Sequence, residues 1–338
     1  MNTVPRISRL GRPQAIRILQ GSLLLVVLGM TGALTGSAQV GWKGSRVGPA
    51  KKDLNAVYFA DSKRGWIGGD DGFVSSTDDG GQSWVQRSLG TKKPVSDIYF
   101  PGNDSGFLLA GDEVFGTTDG GKNWKLLRRF LSSEFEGAEP ELYSVRFTGK
   151  KKGWVVGSVS RNDRIIDSIV FFTDDAGLSW QRRRVPTREE LIHLDFVDDK
   201  RGWIVGAAGT ILHTVNSGES WDRQSSGITT TIYHVDFRNE KDGWAVGERG
   251  VLLKTNNGGS TWTTVESNIR TKLLTVQFVN EDQGWVAGRG GTILRSEDGG
   301  RTWLKQATAT DQNLYALYMG KKTGWAVGGD GMVLQYER

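Results

Sequence analysis

Residues 255–262, Thr-Asn-Asn-Gly-Gly-Ser-Thr-Trp, form an eight-residue box that recurs along the chain. Every copy begins with Thr or Ser, has Asp or Asn third and Gly fifth, and ends in Trp. The other copies occupy residues 77–84, 117–124, 173–180, 214–221 and 296–303. Six copies in one chain describe a structural unit rather than a single site, so the period of the repeat decides the fold.

A second marker, Gly followed by an aromatic residue, gives that period. It starts at Gly65, Gly106, Gly153, Gly202, Gly243, Gly284 and Gly324, at intervals of 40 to 49 residues. One unit divides into β-forming runs at residues 232–237, 243–247, 251–255 and 261–265, separated by Gly, Asn and Asp. The pattern predicts an all-β fold, a seven-bladed β-propeller of four-stranded antiparallel blades. The 47 Gly residues of the chain fit the many tight turns of such a fold.

The two ends of the repeat region predict how the ring closes. The last unit ends after its third strand, without a box, whereas Trp42 precedes the first unit without a box before it. We expect residues 41–46 to supply the missing outer strand of blade seven by pairing with the C-terminal strand. Such closure removes an exposed sheet edge.

The N-terminus is typical of a secretory signal peptide. Arg6, Arg9, Arg12 and Arg17 precede an apolar run over residues 23–34, and small residues follow up to Ala38. This predicts a signal peptide over residues 1–38 and a single propeller domain over residues 39–338. An uncleaved N-terminal anchor is the alternative. The absence of Cys excludes a lipid-anchored cysteine, disulfides and thiolate metal sites.

The charge of the chain gives no support to a nucleic-acid partner. The formal net charge is +5, but the first 38 residues hold four Arg and no acid, which leaves 39 basic and 38 acidic residues in the remainder. A nearly neutral domain lacks the electrostatic footprint of a nucleic-acid-binding protein.

Blade three carries the candidate functional site. Its inner strand follows a long connection at residues 130–141, and residues 158–167 lengthen a connection that other blades make in two or three residues. By strand order both insertions emerge on the face opposite the boxes, and long loops on a rigid scaffold often carry function. The candidate partner-binding residues are Arg128, Arg129, Arg161, Arg164, Arg182, Arg183, Arg184, Arg249 and Arg289. They form either a docking patch for an acidic protein segment or a solvated charged face, and the sequence leaves both open.

Other constellations have a structural interpretation. Each box supplies one acid, and Asn replaces Asp at Asn216 and Asn257, which favours hydrogen bonding within a turn over calcium binding. All 13 Trp belong to the box or to the Gly-aromatic marker. His193 and His234 share an inner-strand column, but Ser144 and Thr275 flank them, so a third metal ligand is missing. We expect no catalytic residue, no metal and no cofactor.

The combined repeat, carried best by residues 243–262 and 284–303, resembles that of the Ycf48/Hcf136 family of photosystem II assembly and stability factors. Its boxes are similar to the Asp-box, or BNR, repeats of sialidases, sortilin-type receptors and some glucanases. The family resemblance covers about residues 41–338. It implies an exported, non-enzymatic propeller that binds a membrane-protein intermediate through an Arg-bearing surface, in the periplasm or thylakoid lumen.

We therefore expect a monomeric scaffold with a protein partner, such as a photosystem II assembly intermediate, and no small-molecule substrate. The alternative is an exported Asp-box glycan-binding protein or a sialidase-like glycosidase. No Arg-Ile-Pro motif stands near the start of the ring, so the catalytic residues of sialidases are not carried over. Cyanobacterial members of the Ycf48/Hcf136 family are commonly lipoproteins, and this chain has no Cys to carry the lipid.

Overall fold

The computed structural model describes residues 41–337, and the predicted signal peptide, residues 1–38, lies outside the described residues. The first strands are β1 (Gly41–Arg46), β2 (Leu54–Phe59), β3 (Gly65–Gly69), β4 (Val74–Thr77), β5 (Val85–Arg87), β6 (Val95–Tyr99), β7 (Gly106–Ala110), β8 (Glu113–Thr117) and β9 (Lys125–Arg129). Blades three and four contain β10 (Glu139–Thr148), β11 (Lys152–Arg161), β12 (Arg164–Thr173), β13 (Gln181–Arg182), β14 (Leu191–Phe196), β15 (Gly202–Gly206), β16 (Ile211–Thr214) and β17 (Asp222–Gln224). The remaining strands are β18 (Ile232–Phe237), β19 (Gly243–Gly247), β20 (Leu252–Thr255), β21 (Thr263–Thr264), β22 (Leu273–Phe278), β23 (Gly284–Gly288), β24 (Ile293–Ser296), β25 (Leu304–Lys305), β26 (Leu314–Met319), β27 (Thr323–Gly328) and β28 (Met332–Glu337).

Short 3₁₀ turns occupy some of the connections between strands. They span Asp70–Gly72, Ser132–Phe135, Ala207–Gly209, Glu248–Gly250 and Gly329–Gly331. In the described residues no helix is long and apolar enough to cross a membrane.

The strands form seven four-stranded antiparallel sheets, which confirms the predicted propeller. Six sheets follow the chain order, as in β2-β3-β4-β5, and the seventh has the order β1-β28-β27-β26. The predicted closure is also confirmed, because β1 pairs with β28 from Gly41 opposite Glu337 to Arg46 opposite Met332. The fourth strand of a blade is shorter than expected, since β21 covers only Thr263–Thr264.

Aromatic stacking joins neighbouring blades and explains the Gly-aromatic marker. The marker Trp203 of blade four stacks on Phe237 of blade five with ring centroids 3.5 Å apart, and Trp325 of blade seven stacks in the same way on Phe59 of blade one. A Cβ atom at Gly243 would lie 2.5 Å from the ring of Phe237, so only Gly fits there. Phe occupies the same position near the end of the first strand in six blades, and in each it stacks on the marker aromatic residue of the preceding blade. These Phe side chains therefore pack between neighbouring blades, and such aromatic pairs add to the energy of burial.

Strand order defines two faces of the ring. The boxes join third to fourth strands, and the turns from first to second strands lie on the same side, which we call the box face. The connections from fourth to first strands, and from second to third strands, lie on the opposite side, the ledge face. Gly41 pairs with Glu337, which pairs with Thr323 just after a first-to-second turn, so β1 begins at the box face.

Candidate partner-binding face

The insertions of blade three are lengthened strands rather than the long loops expected from the sequence. Strands β10, β11 and β12 are ten residues each, and residues 158–167 continue β11 and β12 through a two-residue turn. Asn162 and Asp163 both have positive φ, 52° and 60°, which suits a tight hairpin whose twist matches that of the strands. The preceding connection is also shorter than predicted, because β10 already begins at Glu139. We call residues 130–138 together with residues 158–168 the ledge.

An aromatic cluster fixes the ledge to blade three. Phe130 stacks on Phe171 of β12 at 4.4 Å between ring centroids, and Phe135 meets the same ring edge-on at 6.4 Å. Phe130, Phe135 and Phe171 are all buried. The ledge is therefore a packed platform on which side chains are held in place.

Arg128 and Arg129 lie at the end of β9, where the chain enters the ledge. The Arg128 guanidinium forms an ion pair with Glu134 and lies 5.0 Å from the centre of the Phe130 ring. Arg129 donates from Nε to the buried Glu113 at 2.8 Å. Both side chains therefore have internal partners that a docking segment would have to share.

Arg161 and Arg182 tie the two parts of the ledge together. Arg161 donates from Nη2 to the carbonyl oxygen of Glu136 at 2.8 Å. Arg182 pairs with Asp167 at 2.8 Å and places its guanidinium 5.6 Å from the centre of the Phe135 ring. From sequence alone, an Arg that makes intramolecular contacts cannot be distinguished from an Arg that is free to bind a partner.

Arg164 and Arg184 are exposed, and Arg183 is half-buried. Among the described residues, the side chains of Arg164 and Arg184 make no ion pair or hydrogen bond. Arg183 stacks on Phe172 at 4.8 Å, and its buried Nε has no hydrogen-bond partner in the described structure. Arg188, which lies in the same basic stretch of the sequence, is exposed nearby.

Arg249 and Arg289 lie on the ledge face as expected, but on blades five and six. Arg249 is exposed in the second-to-third-strand turn of blade five at φ 58°, a position that Ala208 occupies in blade four. The Nε atom of Arg289 is buried without a hydrogen-bond partner among the described residues. The structure therefore gathers seven of the nine predicted Arg around blade three and leaves these two further round the ring.

The polar side chains of the boxes form hydrogen bonds within their own turns. In the box of blade two, the Thr117 hydroxyl donates to Oδ1 of Asp119 at 2.8 Å, and the backbone N–H of Asn123 donates to the same atom at 3.0 Å. The side-chain amide of Asn123 also donates to Oδ2 of Asp119 at 2.7 Å. This bond has the largest effect, and together with the other two it lowers the pKa of Asp119 to about 2. Asn257 accepts the equivalent bonds through its Oδ1 atom. Across residues 41–337, no group of three His, Asp or Glu is placed to hold a metal ion.

The innermost strands hold a partly buried ionic cluster, of which the sequence indicated only the pair His193 and His234. Arg146 donates to Asp97 at 2.8 Å and lies 2.9 Å from Nε2 of His193, whose ring stacks on that of His234 at 3.6 Å. The guanidinium thus occupies the side of His193 where a metal ion would bind. Burial, the charge of His234 and that of Arg146 lower the pKa of His193 well below its usual value.

Two further acids lie in the same column as Arg146. Asp195 accepts the N–H of Phe237 at 2.7 Å, and Asp236 accepts the N–H of Phe278 at 2.9 Å, so each carboxyl joins its blade to the next. Burial and the neighbouring Asp195 raise the pKa of Asp236 to about 8. The sequence does carry a signal for this cluster, because Arg146, Asp195 and Asp236 each directly precede the inner-strand Phe, where a buried strand is expected to be apolar.

The fold and the boxes define a seven-bladed Asp-box propeller. A family model described as photosynthesis system II assembly factor YCF48 matches three overlapping stretches, residues 84–185, 172–273 and 265–337. Together these stretches cover most of the chain, so the protein belongs to the YCF48 family of photosystem II assembly factors. This confirms the resemblance seen in the repeat.

A curated relative is the photosystem II assembly lipoprotein Ycf48 of Synechococcus sp. (strain CC9902). It is 30% identical over 129 residues, which cover 37% of this chain and 35% of that protein. The matched part thus spans about a third of the length of the curated relative.

Solved structures confirm the fold. YCF48 bound to D1 peptide aligns with a TM-score of 0.70 at 20% identity, covering 88% of this chain and 97% of that one. YCF48 from Cyanidioschyzon merolae aligns with a TM-score of 0.70 at 22% identity, covering 88% and 98%. A virginiamycin B lyase from Staphylococcus aureus aligns with the same TM-score at 11% identity, covering 89% and 100%. At these identities the likeness concerns the fold alone.

Proposed function

We propose that this protein is an exported, non-enzymatic scaffold that binds a segment of a partner protein on the ledge face. The observation that carries the proposal is the ledge itself. Blade three has the longest strands of the ring, and Arg164, Arg184 and Arg188 stand exposed around it with no ion pair among the described residues. Exposed Arg side chains on a rigid platform suit planar, bidentate recognition of carboxylates.

The partner that fits best is an acidic segment of a membrane-protein assembly intermediate. Two observations support this choice: the family is one of photosystem II assembly factors, and a structural relative is YCF48 bound to D1 peptide. We propose a photosystem II intermediate of the D1 type as the partner, bound by a monomeric propeller.

The leader and the compartment complete the proposal. Residues 1–38 act as a signal peptide, residues 39–338 form the functional domain, and the protein works in the periplasm or thylakoid lumen. The curated relative is a lipoprotein, whereas this chain has no Cys to carry a lipid, and an uncleaved N-terminal segment is the alternative means of membrane association.

Charge reversal on the ledge tests the proposal. The variant with Arg164→Glu, Arg184→Glu and Arg188→Glu places repulsive charges where an acidic segment would bind, and none of the three side chains holds the fold together. We expect recovery of the photosystem II intermediate from solubilised host membranes to fall at least tenfold. The melting temperature should stay within a few degrees of that of the unmodified protein.

The matched control reverses three charges on the box face. Lys150, Lys151 and Lys321 are exposed in first-to-second-strand turns. Their replacement by Glu changes the net charge equally, so it should leave recovery of the intermediate unchanged. Equal losses in both triple variants would mean that net charge alone governs binding, and undiminished recovery with the ledge variant would reject the Arg-bearing face.

A further inference from the structure

The outer edge of β12 is only half covered by its own blade. The fourth strand β13 pairs with β12 at Phe171 and Phe172 alone, and one more bond joins the Arg183 N–H to the carbonyl oxygen of Val170 at 2.8 Å. Beyond that point the chain turns toward blade four, where the carbonyl oxygens of residues 187 and 189 accept bonds from the Ser168 hydroxyl. We call residues 164–169 the upper half of β12. Within the described structure this half pairs with β11 on one side and has no strand neighbour on its outer side.

Two side chains stand in for the missing neighbour. The Ser168 N–H donates to Oδ1 of Asp167 at 3.0 Å, and Arg182 donates from Nη2 to the Ser168 carbonyl oxygen at 3.0 Å. Asp167 and Arg182 also pair with each other at 2.8 Å. The Asp167 carboxylate and the Arg182 guanidinium thus bond the N–H and the carbonyl oxygen of Ser168, the two main-chain groups that an adjacent strand would bond.

The surroundings of this edge are apolar and cationic. The pairing of β11 with β12 contains a bulge, because Val159 lies opposite Asp167 and Ser160 lies opposite Ile165. Ile166 is the extra residue of this bulge, and it is 38% exposed. Arg164 and Arg184 lie before and beyond the open stretch without internal ion pairs among the described residues. A bulge and a charged pair are devices by which proteins protect an edge from unselective pairing. A segment that brings its own carboxylates can replace the Asp167 carboxylate as the partner of Arg182.

We propose that the outer edge of β12 above Val170 is a strand-addition site for an extended, acidic segment of the partner. The segment pairs through its main chain with the upper half of β12, places carboxylates on Arg164, Arg182 and Arg184, and covers Ile166. Main-chain bonds supply affinity in this mode, and alternate side chains supply specificity. This inference rests on the proposed protein-binding function of the ledge and adds how the segment is held.

Peptide main-chain methylation tests the mode of binding. The probe is an acetylated and amidated octapeptide of alternating Glu and Val, measured by fluorescence anisotropy against the intact protein. Two derivatives carry N-methyl groups on either all Glu or all Val residues, so their side-chain charges are unchanged. We expect one derivative to bind at least tenfold more weakly than the parent, because one set of amides faces β12.

A substitution in the Asp167–Arg182 ion pair tests strand addition independently, through its effect on peptide affinity. Asp167→Ala frees the Ser168 N–H and Arg182, so we expect it to bind the parent peptide several-fold more tightly than the control Glu136→Gln. Both changes remove one negative charge from the ledge, and Glu136 is exposed. Melting temperatures of both variants report whether the fold is intact.

The outcomes separate this inference from the proposed function. Binding that both methylated peptides retain within twofold, or equal effects of Asp167→Ala and Glu136→Gln, would overturn strand addition. Charge reversal on the ledge could still abolish partner recovery in that case, and the proposed function would stand. A parent peptide that does not bind the intact protein would also overturn strand addition.

Discussion

At the scale of single residues, the third position of the box stabilises its turn equally well as Asp or as Asn. The box needs an oxygen that accepts two or three bonds from its own turn, and Oδ1 of Asp298 or of Asn257 provides it. Calcium binding would instead require several carboxylates converging on one point. This is why the most repeated motif of the chain positions strands rather than a ligand.

The partly buried acids Asp195 and Asp236 on the inner strands make stability depend on pH. An unfolded Asp titrates near pH ~4, whereas burial raises the pKa of Asp236 to about 8 and also raises that of Asp195. Between those values the folded protein keeps a proton that the unfolded chain has lost, so stability falls as pH rises through this window. His193 and His234 act oppositely, because their lowered pKa values favour folding as pH rises to about 6.5. The groups facing Asp236 with opposite charge are Arg146 and Arg238.

Asp236→Asn should remove most of this dependence. Asn can still accept the Phe278 N–H but carries no proton to lose. Between pH 7 and 8, above the titration of ordinary His, we expect the free energy of unfolding of the unmodified protein to fall by up to ~1.4 kcal/mol per pH unit. The variant should be nearly flat, as measured by urea denaturation at each pH. Parallel slopes for the two proteins would show that Asp236 is already ionised at pH 7.

At the scale of elements, strand β1 converts an open series of blades into a ring. Trp42 is buried against Tyr336 of β28 at 5.3 Å between ring centroids, and it belongs to the same core cluster as Trp285. Its neighbour Lys43 is exposed and makes only a surface ion pair with Glu337. The closure therefore depends on the Trp42 side chain, on the main-chain ladder, and on Arg46, which pairs with Asp330 and donates from Nε to its carbonyl oxygen at 2.9 Å.

Trp42→Ala should destabilise the ring through the cavity that it leaves. Removal of a buried Trp side chain costs roughly 3–5 kcal/mol, so we expect a clear drop in the melting temperature measured by circular dichroism. Lys43→Ala on the same strand should change it little, because exposed ion pairs contribute about 0–1 kcal/mol. A melting temperature unaffected by Trp42→Ala would contradict closure by β1.

The lengthened hairpin of blade three is separable from the ring. Other blades connect the second to the third strand in two to four residues, as at residues 207–210 of blade four. Replacing residues 158–168 by the sequence Ala-Ala-Gly should preserve a folded propeller, because the lower halves of β11 and β12 still pair. We expect the shortened protein to keep cooperative unfolding and to lose recovery of the photosystem II intermediate. Full recovery with the shortened hairpin would place the binding site elsewhere.

At the scale of the whole molecule, repetition made the architecture predictable. Seven markers fixed the blade count, and the unmatched Trp42 fixed the strand that closes the ring. The strands of blade three were less predictable, because Asn162 and Asp163 resemble loop residues until their left-handed conformation identifies a hairpin turn. The family also followed from the repeat, since most units carry the same spaced Gly and Trp residues.

Contacts between distant parts of the chain could not be predicted in this way. The sequence grouped nine Arg residues by type and position, but the pairing of Arg129 with Glu113 and of Arg161 with the Glu136 carbonyl depends on three-dimensional packing. The axial cluster around Arg146 was missed for a related reason. A polar residue in an alternating strand normally faces solvent, whereas here the innermost strands face one another across the ring.

The central claim is that the protein binds its partner on the ledge face, and site-specific photocrosslinking in host cells tests it most directly. A photoreactive benzoylphenylalanine is placed at Arg164 on the ledge or at Lys151 on the box face, both exposed, and adducts are identified by mass spectrometry. We expect the Arg164 position to yield an adduct with an acidic segment of a photosystem II assembly intermediate and the Lys151 position to yield none. An adduct with that intermediate at Lys151 alone would contradict the account.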